Sequence, residues 1–242
     1  MARGPFPPRA RARRGIVLVC RRLYERALVA GRDGNVSVRV GLDRVLVTPS
    51  GMSKADVRER DLVEVALDGA PVRRSGGARP PSSEILLHLA TYRARPDVRA
   101  VVHAHPPAAT GFAVAHEALD HGALAEMAYT VGRVPLVPYA MPGSRALAER
   151  VARVLETHDA ALLANHGAVT VGRTLEAAHQ RMESLEHGAR ILLAARRAGR
   201  VTRLTAEALG ALEVERAAAD RAIIAGRGGP RAARPGKGKG VR

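Results

Sequence analysis

Three histidines in this chain are placed as ligands of one metal ion. His103 and His105 lie in VVHAHPP and His166 in LLANHGAV, each following an apolar run that reads as a buried strand. Residues two apart on a strand point to the same face, so His103 and His105 can reach one ion together. A third imidazole from a neighbouring strand end completes three nitrogens and leaves one position open. That is the arrangement of a catalytic zinc; a structural zinc is closed by four protein ligands.

Other segments could hold an anion beside such a site. In Pro81–Glu84, Ser82 and Ser83 are expected to open a helix after a proline. Free backbone N–H groups and the helix dipole favour a phosphate there. The plainer reading is an ordinary N-cap, with Glu84 complementing the dipole. Gly34–Ser37 (GNVS) and Thr48–Lys54 (TPSGMSK) join small residues to hydroxyl or amide donors at strand ends, so their backbones can approach an anion closely. Each of these loops, taken singly, reads as a turn.

The elements that must position these residues follow from the apolar spacing. Ile16 to Ala30 has helical periodicity and stops at Gly31. NVSVRV and RVLVTP flank Gly41–Arg44 as a hairpin, followed by a short helix at 54–60 and a strand at 62–67. Gly69 to Pro81 reads as loop. Ser82 to Arg95 is helical, with Leu86, Leu87 and Ala90 on one face. A strand at 100–105, a helix from Pro107, a strand in RVPLVPY and a helix over 144–155 come next. AALLAN and AVTVG pair around His166, then a long helix covers 175–197 and a weaker one 206–225. Strands and helices mix without strict alternation, so the expected fold is a single α/β domain. Its central sheet should be mixed or partly antiparallel and flanked by helices.

Composition removes several alternatives. The only cysteine, Cys20, lies in the apolar run IVLVC, which excludes internal disulfides, fits a reducing compartment and marks a buried thiol. The net charge of +16 suggests nucleic acid until it is located. Residues 1–14 and 226–242 carry eleven basic side chains and no acids, and both stretches are read as disordered basic tails around a domain at 15–225. No specific nucleic-acid partner is expected. No run approaches the ~20 apolar residues that span a bilayer, and the arginine-rich start is followed by too short an apolar stretch for a signal peptide. A cytoplasmic protein is expected.

In their order and spacing, GNVSVRV, LVTPSGM, PSSE with its helix, RPDVRAVVHAHPP, PYAMPGS and LLANHGAVTVGRTLEAAHQRMESLEH resemble the class II aldolase/adducin family. The resemblance covers about Ile16 to Arg200. It implies that His103, His105 and His166 bind Zn2+ and that Glu84 is the acid/base residue and can itself ligate the metal. It also implies that Asn35, Ser50, Gly51, Ser82 and Ser83 hold a substrate phosphate, and that the enzyme is a homotetramer with active sites at subunit borders. The implied reaction is cleavage of a short ketose phosphate, fuculose-1-phosphate-like, to dihydroxyacetone phosphate and an aldehyde through a metal-stabilised enediolate. Glu84 separates the chain from the related 4-epimerases, which carry Asp there. The family's tyrosine, a second acid, is matched by Glu126, with Tyr129 three residues on. A decarboxylase, dehydratase or epimerase of phosphorylated sugars on the same scaffold, or a non-catalytic adducin-like scaffold, are the alternatives. His88, His116, His121, His158, His179 and His187 are read as surface or capping residues.

Overall fold

The two apolar runs that carry the histidines are neighbours at the centre of one sheet. A computed structural model of the chain describes residues 6–72 and 79–224, the last four as backbone only. Among these, the strands are β1 (Asn35–Gly41), β2 (Arg44–Val47), β3 (Val63–Val65), β4 (Ala100–Ala104), β5 (Leu136–Val137), β6 (Ala160–Leu163) and β7 (Gly167–Gly172). They form one seven-stranded sheet in the order β3-β2-β1-β4-β7-β6-β5. Every pairing is antiparallel except β5 with β6, which is parallel. The helices are α1 (Arg9–Glu25), α2 (Ile85–Ala94), α3 (Pro107–Val114), α4 (Ala125–Thr130), α5 (Arg145–Leu155), α6 (Leu175–Ala198) and α7 (Ala206–Ile224). The mixed sheet with flanking helices is the architecture expected from the sequence.

Alternation along the strands divides the core in two. Val36, Val38, Ala100, Val102, Ala104 and Leu162 join α1, α3 and α6 on one side of the sheet. Val45, Val47, Val101, Leu163, Val169 and Val171 join α2 and α5 on the other. His103 alternates with Val102, so it faces the α2 side. On β1 the valines go to the α1 side, while Asn35, Ser37 and Arg39 lie buried under α2. α5 is capped by Ser144, whose Oγ accepts the Leu147 N–H at 3.1 Å, and it buries Leu147, Val151 and Leu155. Each such side chain contributes about 1.5–3 kcal/mol on transfer from water.

Several boundaries depart from the sequence reading. Residues 9–14 are not a disordered tail: they form the first turns of α1, where Arg9 pairs with Glu64 at 2.9 Å and Arg13 Nη1 donates to the Glu59 carbonyl at 2.6 Å. Buried Ala12 adds to this anchoring. Residues 1–5 and 226–242 lie outside the described residues. α1 ends at Glu25, not Ala30, because Ala27 takes a left-handed φ of 54° that the helix cannot continue. The expected helix at 54–60 shrinks to one 3-10 turn at Glu59–Asp61. α2 starts at Ile85 with Glu84 in the cap position, so Ser82 and Ser83 precede the helix. Its buried face is Leu87, His88, Leu89, Thr91 and Tyr92, and Leu86 is 37 % exposed. Apolar spacing found only Leu87 of this face because three of its members, His88, Thr91 and Tyr92, carry polar atoms with partners inside the protein.

An ion network holds α7 to the domain. Asp159 accepts from Arg95 at 3.3 Å, from Arg181 at 3.2 Å and from Arg216, while Arg181 also reaches Asp220 at 3.3 Å. Arg181 is buried. Removing one partner of a buried pair strands the other charge, so Asp159→Ala is expected to destabilise the protein by about 3 kcal/mol in urea unfolding. Cys20 is fully buried, and that burial pushes its thiol pKa up to about 12. A thiol reagent at pH 8 should therefore leave the native protein untouched and count one cysteine only after unfolding. Among the described residues no helix is long and apolar enough to cross a membrane.

Candidate metal centre

The sheet register brings four separate segments together at one end of β4. Asn35 is the direct partner of His103, which is also the partner of Val169 on β7. His105 lies just beyond β4, its backbone N–H donating to the Leu28 carbonyl at 3.0 Å. His166 sits in the β6–β7 turn, where Asn165 adopts a φ of 55°, a left-handed conformation that asparagine tolerates well. The three rings lie 4.7–5.0 Å apart between centroids, near edge-to-face. One ligand atom from each lies within 4.8 Å of the others, so these residues could hold a metal ion.

Two of the rings are oriented by their outer nitrogens. His103 Nδ1 donates to the Ala168 carbonyl at 2.9 Å, and His105 Nδ1 lies 3.4 Å from Asp33 Oδ2. Both contacts turn Nε2 inward, as outer partners of metal-bound histidines do. His103 Nε2 then stands 3.1 Å from His105 Nε2 and 3.0 Å from Glu84 Oε2, with His166 Nε2 3.3 Å from Glu84 Oε1. These are Lewis bases facing one another; a shared proton or a cation is needed to reconcile them. Ligands ~2.0–2.1 Å from a tetrahedral zinc sit about 3.3 Å apart, so the spacing fits that ion. Glu84 Oε1 and His166 Nδ1 are buried without a hydrogen-bond partner, which also suits a site that takes a further charged group.

Electrostatics follow from this crowding. Burial pushes the Glu84 carboxyl up, but the charge and hydrogen bond of His103, with His166 and Asn35, pull it well below the usual carboxylate range. Glu84 is therefore ionised. His103 is pushed down by burial, yet the Glu84 charge outweighs that and raises it. His166 is lowered to about 4 by burial and by His103, and His105 is lowered by the same two causes.

The expected phosphate residues are carried by three loops stitched together beside this centre. Ser50 N–H donates to the Pro80 carbonyl at 2.9 Å and Ser82 N–H to the Thr48 carbonyl at 3.1 Å. Thr48 Oγ1 accepts the Val36 N–H at 3.2 Å. Gly51 and Ser83 are exposed at the surface, whereas Asn35 and Ser82 are buried. One amide N–H of Asn35 is already spent on Glu84 Oε2 at 3.0 Å, leaving the other for a ligand. Sequence reasoning missed Lys54, which is buried and donates to the carbonyls of Arg32 at 3.0 Å and Met52 at 2.8 Å, clamping two of these loops together. It also missed Asp33, two residues before Asn35. A Cβ on Gly34 would stand 2.7 Å from the His103 carbonyl, and its φ of 69° is one that other residues resist. That is the physical demand behind the glycine of GNVS.

Two histidines that read as surface residues from the sequence are buried. His88 is fully buried between β1 and α2, and His179 is buried beside Glu183 at 3.6 Å. His88 escaped notice because its partners, Asn35 and Ser37, lie some fifty residues away in sequence. Glu126 is exposed and Tyr129 half-buried on α4, and among the described residues no hydrogen bond joins either of them to Glu84 or the three histidines.

A family model described as the class II aldolase and adducin N-terminal domain matches residues 14–193, well over half the chain. The chain belongs to that family. Relatives within the class II aldolase family divide by activity. The L-fuculose phosphate aldolase of Methanocaldococcus jannaschii is 34% identical over 177 residues, covering 73% of this chain and 93% of its own. The 3-oxo-tetronate 4-phosphate decarboxylase of Escherichia coli K12 is 35% identical over 174 residues, covering 70% and 80%. Among solved class II aldolase structures, an L-fuculose 1-phosphate aldolase superposes with a TM-score of 0.79 at 30% identity, covering 87% of this chain and 97% of its own. The chain is therefore an enzyme-family member whose relatives act on sugar phosphates. α7 lies beyond the matched domain.

Proposed function

We propose that this protein is a zinc-dependent aldolase that cleaves a short ketose phosphate to dihydroxyacetone phosphate and an aldehyde. The observation that carries the reading is the cluster of three histidines beside a buried carboxylate, with His103 and His166 Nε2 within 3.3 Å of Glu84 and His105 Nε2 3.1 Å from His103 Nε2. His103, His105 and His166 hold the zinc, with Glu84 beside them able to ligate it. A zinc ion there supplies Lewis acidity, worth several kcal/mol where charge develops on a carbonyl oxygen and its neighbouring hydroxyl. The chain's own groups do the rest. Asn35, Ser50, Gly51, Ser82 and Ser83 bind the phosphate, and Arg79, whose Nη1 lies 3.7 Å from where a Cβ on Gly51 would sit, adds a cation. Breaking the carbon–carbon bond releases the proton of the cleaved hydroxyl and leaves an enediolate, whose carbon takes a proton that Glu84 relays from water; in synthesis the ionised carboxylate removes that proton. A second group must serve the aldehyde oxygen. Glu126 and Tyr129 are the candidates, reaching the site from a neighbouring subunit of a homotetramer.

The decarboxylase relative supports a second reading, loss of carbon dioxide from a phosphorylated keto acid, because that reaction passes through the same kind of enediolate. The test uses zinc-loaded protein with L-fuculose 1-phosphate and, separately, 3-oxo-tetronate 4-phosphate. Release of dihydroxyacetone phosphate from the first supports the aldolase. Carbon dioxide from the second, with no ketose cleavage, replaces it with the decarboxylase. Turnover of neither by a zinc-loaded protein removes both and leaves an epimerase, a dehydratase or a scaffold.

A further inference from the structure

The buried polar side chains of β1 and α2 form a chain of hydrogen bonds that ends on Glu84 and that the chemistry above does not use. The Tyr92 hydroxyl lies 2.8 Å from Ser37 Oγ, which lies 2.7 Å from His88 Nδ1. His88 Nε2 is hydrogen-bonded to Asn35 Oδ1, and Asn35 Nδ2 donates to Glu84 Oε2 at 3.0 Å. Tyr92, Ser37 and His88 have no exposed surface and Asn35 is 3 % exposed, so bulk water cannot replace a missing partner.

The chemistry of the groups sets the direction of every link. Asn35 places its NH2 on the Glu84 carboxylate and its carbonyl on His88. That carbonyl only accepts, which places the His88 proton on Nε2. Burial holds His88 neutral, its pKa pushed down to about 3, so Nδ1 accepts from the Ser37 hydroxyl. Tyr92 then donates to Ser37. An amide does not hand a proton onward as a hydroxyl or imidazole does, so the chain orients Glu84 and is not a route for protons to reach it.

We propose that His88, backed by Ser37 and Tyr92, is a positioning residue that fixes the Asn35 amide in the one orientation whose N–H holds the Glu84 carboxylate against the three histidines. The proposal rests on the role given to Glu84 above. Without the His88 N–H, the Asn35 amide is free to turn over and present its oxygen to the carboxylate, which is then repelled from its place.

The chain contains only two asparagines, Asn35 and Asn165, which makes a direct test simple. Zinc-loaded protein labelled with 15N-asparagine gives two side-chain amide signals, and that of buried Asn35 should exchange slowly with solvent. In His88→Leu the exchange of this amide is expected to accelerate by at least about tenfold and kcat to fall about 10–100-fold, with KM rising as well because the same amide nitrogen serves the phosphate. His88→Gln, whose amide nitrogen stands near the position of Nε2, should recover most of each. Should His88→Leu fail to fold, Ser37→Ala removes only the partner of Nδ1 and is expected to show the same changes at smaller size. An unchanged Asn35 signal with kcat within about twofold in the folded variants overturns the proposal. So does a His88→Gln as impaired as His88→Leu, since that outcome means packing alone. If the wild type turns over no sugar phosphate, the functional reading fails, while the amide signal still decides the positioning role.

Discussion

Replacing Glu84 with glutamine is expected to lower kcat by about 10²–10⁴-fold while the protein keeps about one zinc per chain. The change keeps the size and planarity of the side chain but removes its charge and its capacity to take a proton. Glu84 Oε2 accepts from Asn35, and the glutamine oxygen can still accept there, so the fold has little reason to change. The discriminating measurement is metal content beside steady-state kinetics. A Glu84→Gln enzyme with zinc bound and kcat within about tenfold of wild type would remove Glu84 from the proton-transfer step. Loss of zinc together with activity would instead make Glu84 chiefly a ligand.

Gly167→Ala should disable the same centre without touching any ligand. A Cβ at position 167 would stand 2.6 Å from His105 Cδ2, 2.6 Å from the Ala104 carbonyl and 3.4 Å from His103 Cε1. Neither the strand backbone nor two interlocked imidazoles can yield that distance cheaply, so the rings must move apart. A displacement of about 1 Å at a catalytic constellation costs about 10²-fold in rate, and a disturbed metal shell loses about 10–100-fold in affinity. Gly111→Ala in α3 is the control, because its Cβ meets nothing within 4 Å and alanine favours a helix. Zinc titration by competition with a chelator should show Gly167→Ala weakened and Gly111→Ala unchanged. Equal affinities would mean that the β6–β7 turn adjusts and that the glycine serves another purpose.

Much of this centre is legible in the sequence because strand geometry is local. His103 and His105 share a face by period alone, and the β1–β2 hairpin and the β6–β7 pair follow from short apolar runs around turn residues. What the sequence does not disclose is which side of a buried strand is polar on purpose. β1 alternates valine with Asn35, Ser37 and Arg39, a pattern that ordinarily means one face in water. Here the polar side is covered by α2, whose His88 and Tyr92 supply the partners. The same blindness affects α2, where Leu86 was expected inside and His88 outside, and both are reversed. Asp33 and the Ala168 carbonyl were equally out of reach, since their roles depend on distance from a ring and not on spacing along the chain. The first turns of α1 were lost to composition: their arginines resemble a solvated tail until Glu64 and the Glu59 carbonyl are seen to receive them.

The polar underside of β1 also guards against misfolding. β1 is paired on both edges, by β2 and β4, and its valines alone would fit either neighbour in more than one alignment. A slip of a single residue exchanges the two faces of a strand. Asn35, Ser37 and Arg39 would then be driven into the apolar layer of Ile16, Leu23 and Met182, where nothing can accept or donate, while the valines faced His88 and Tyr92. Each stranded buried polar group costs about 1–3 kcal/mol, so three of them outweigh most of what a small domain has to spare. Misaligned versions of the sheet are thereby penalised before any ligand arrives, and the hydrogen bonds that orient Glu84 in the finished enzyme serve during folding as a proofreading device for strand alignment.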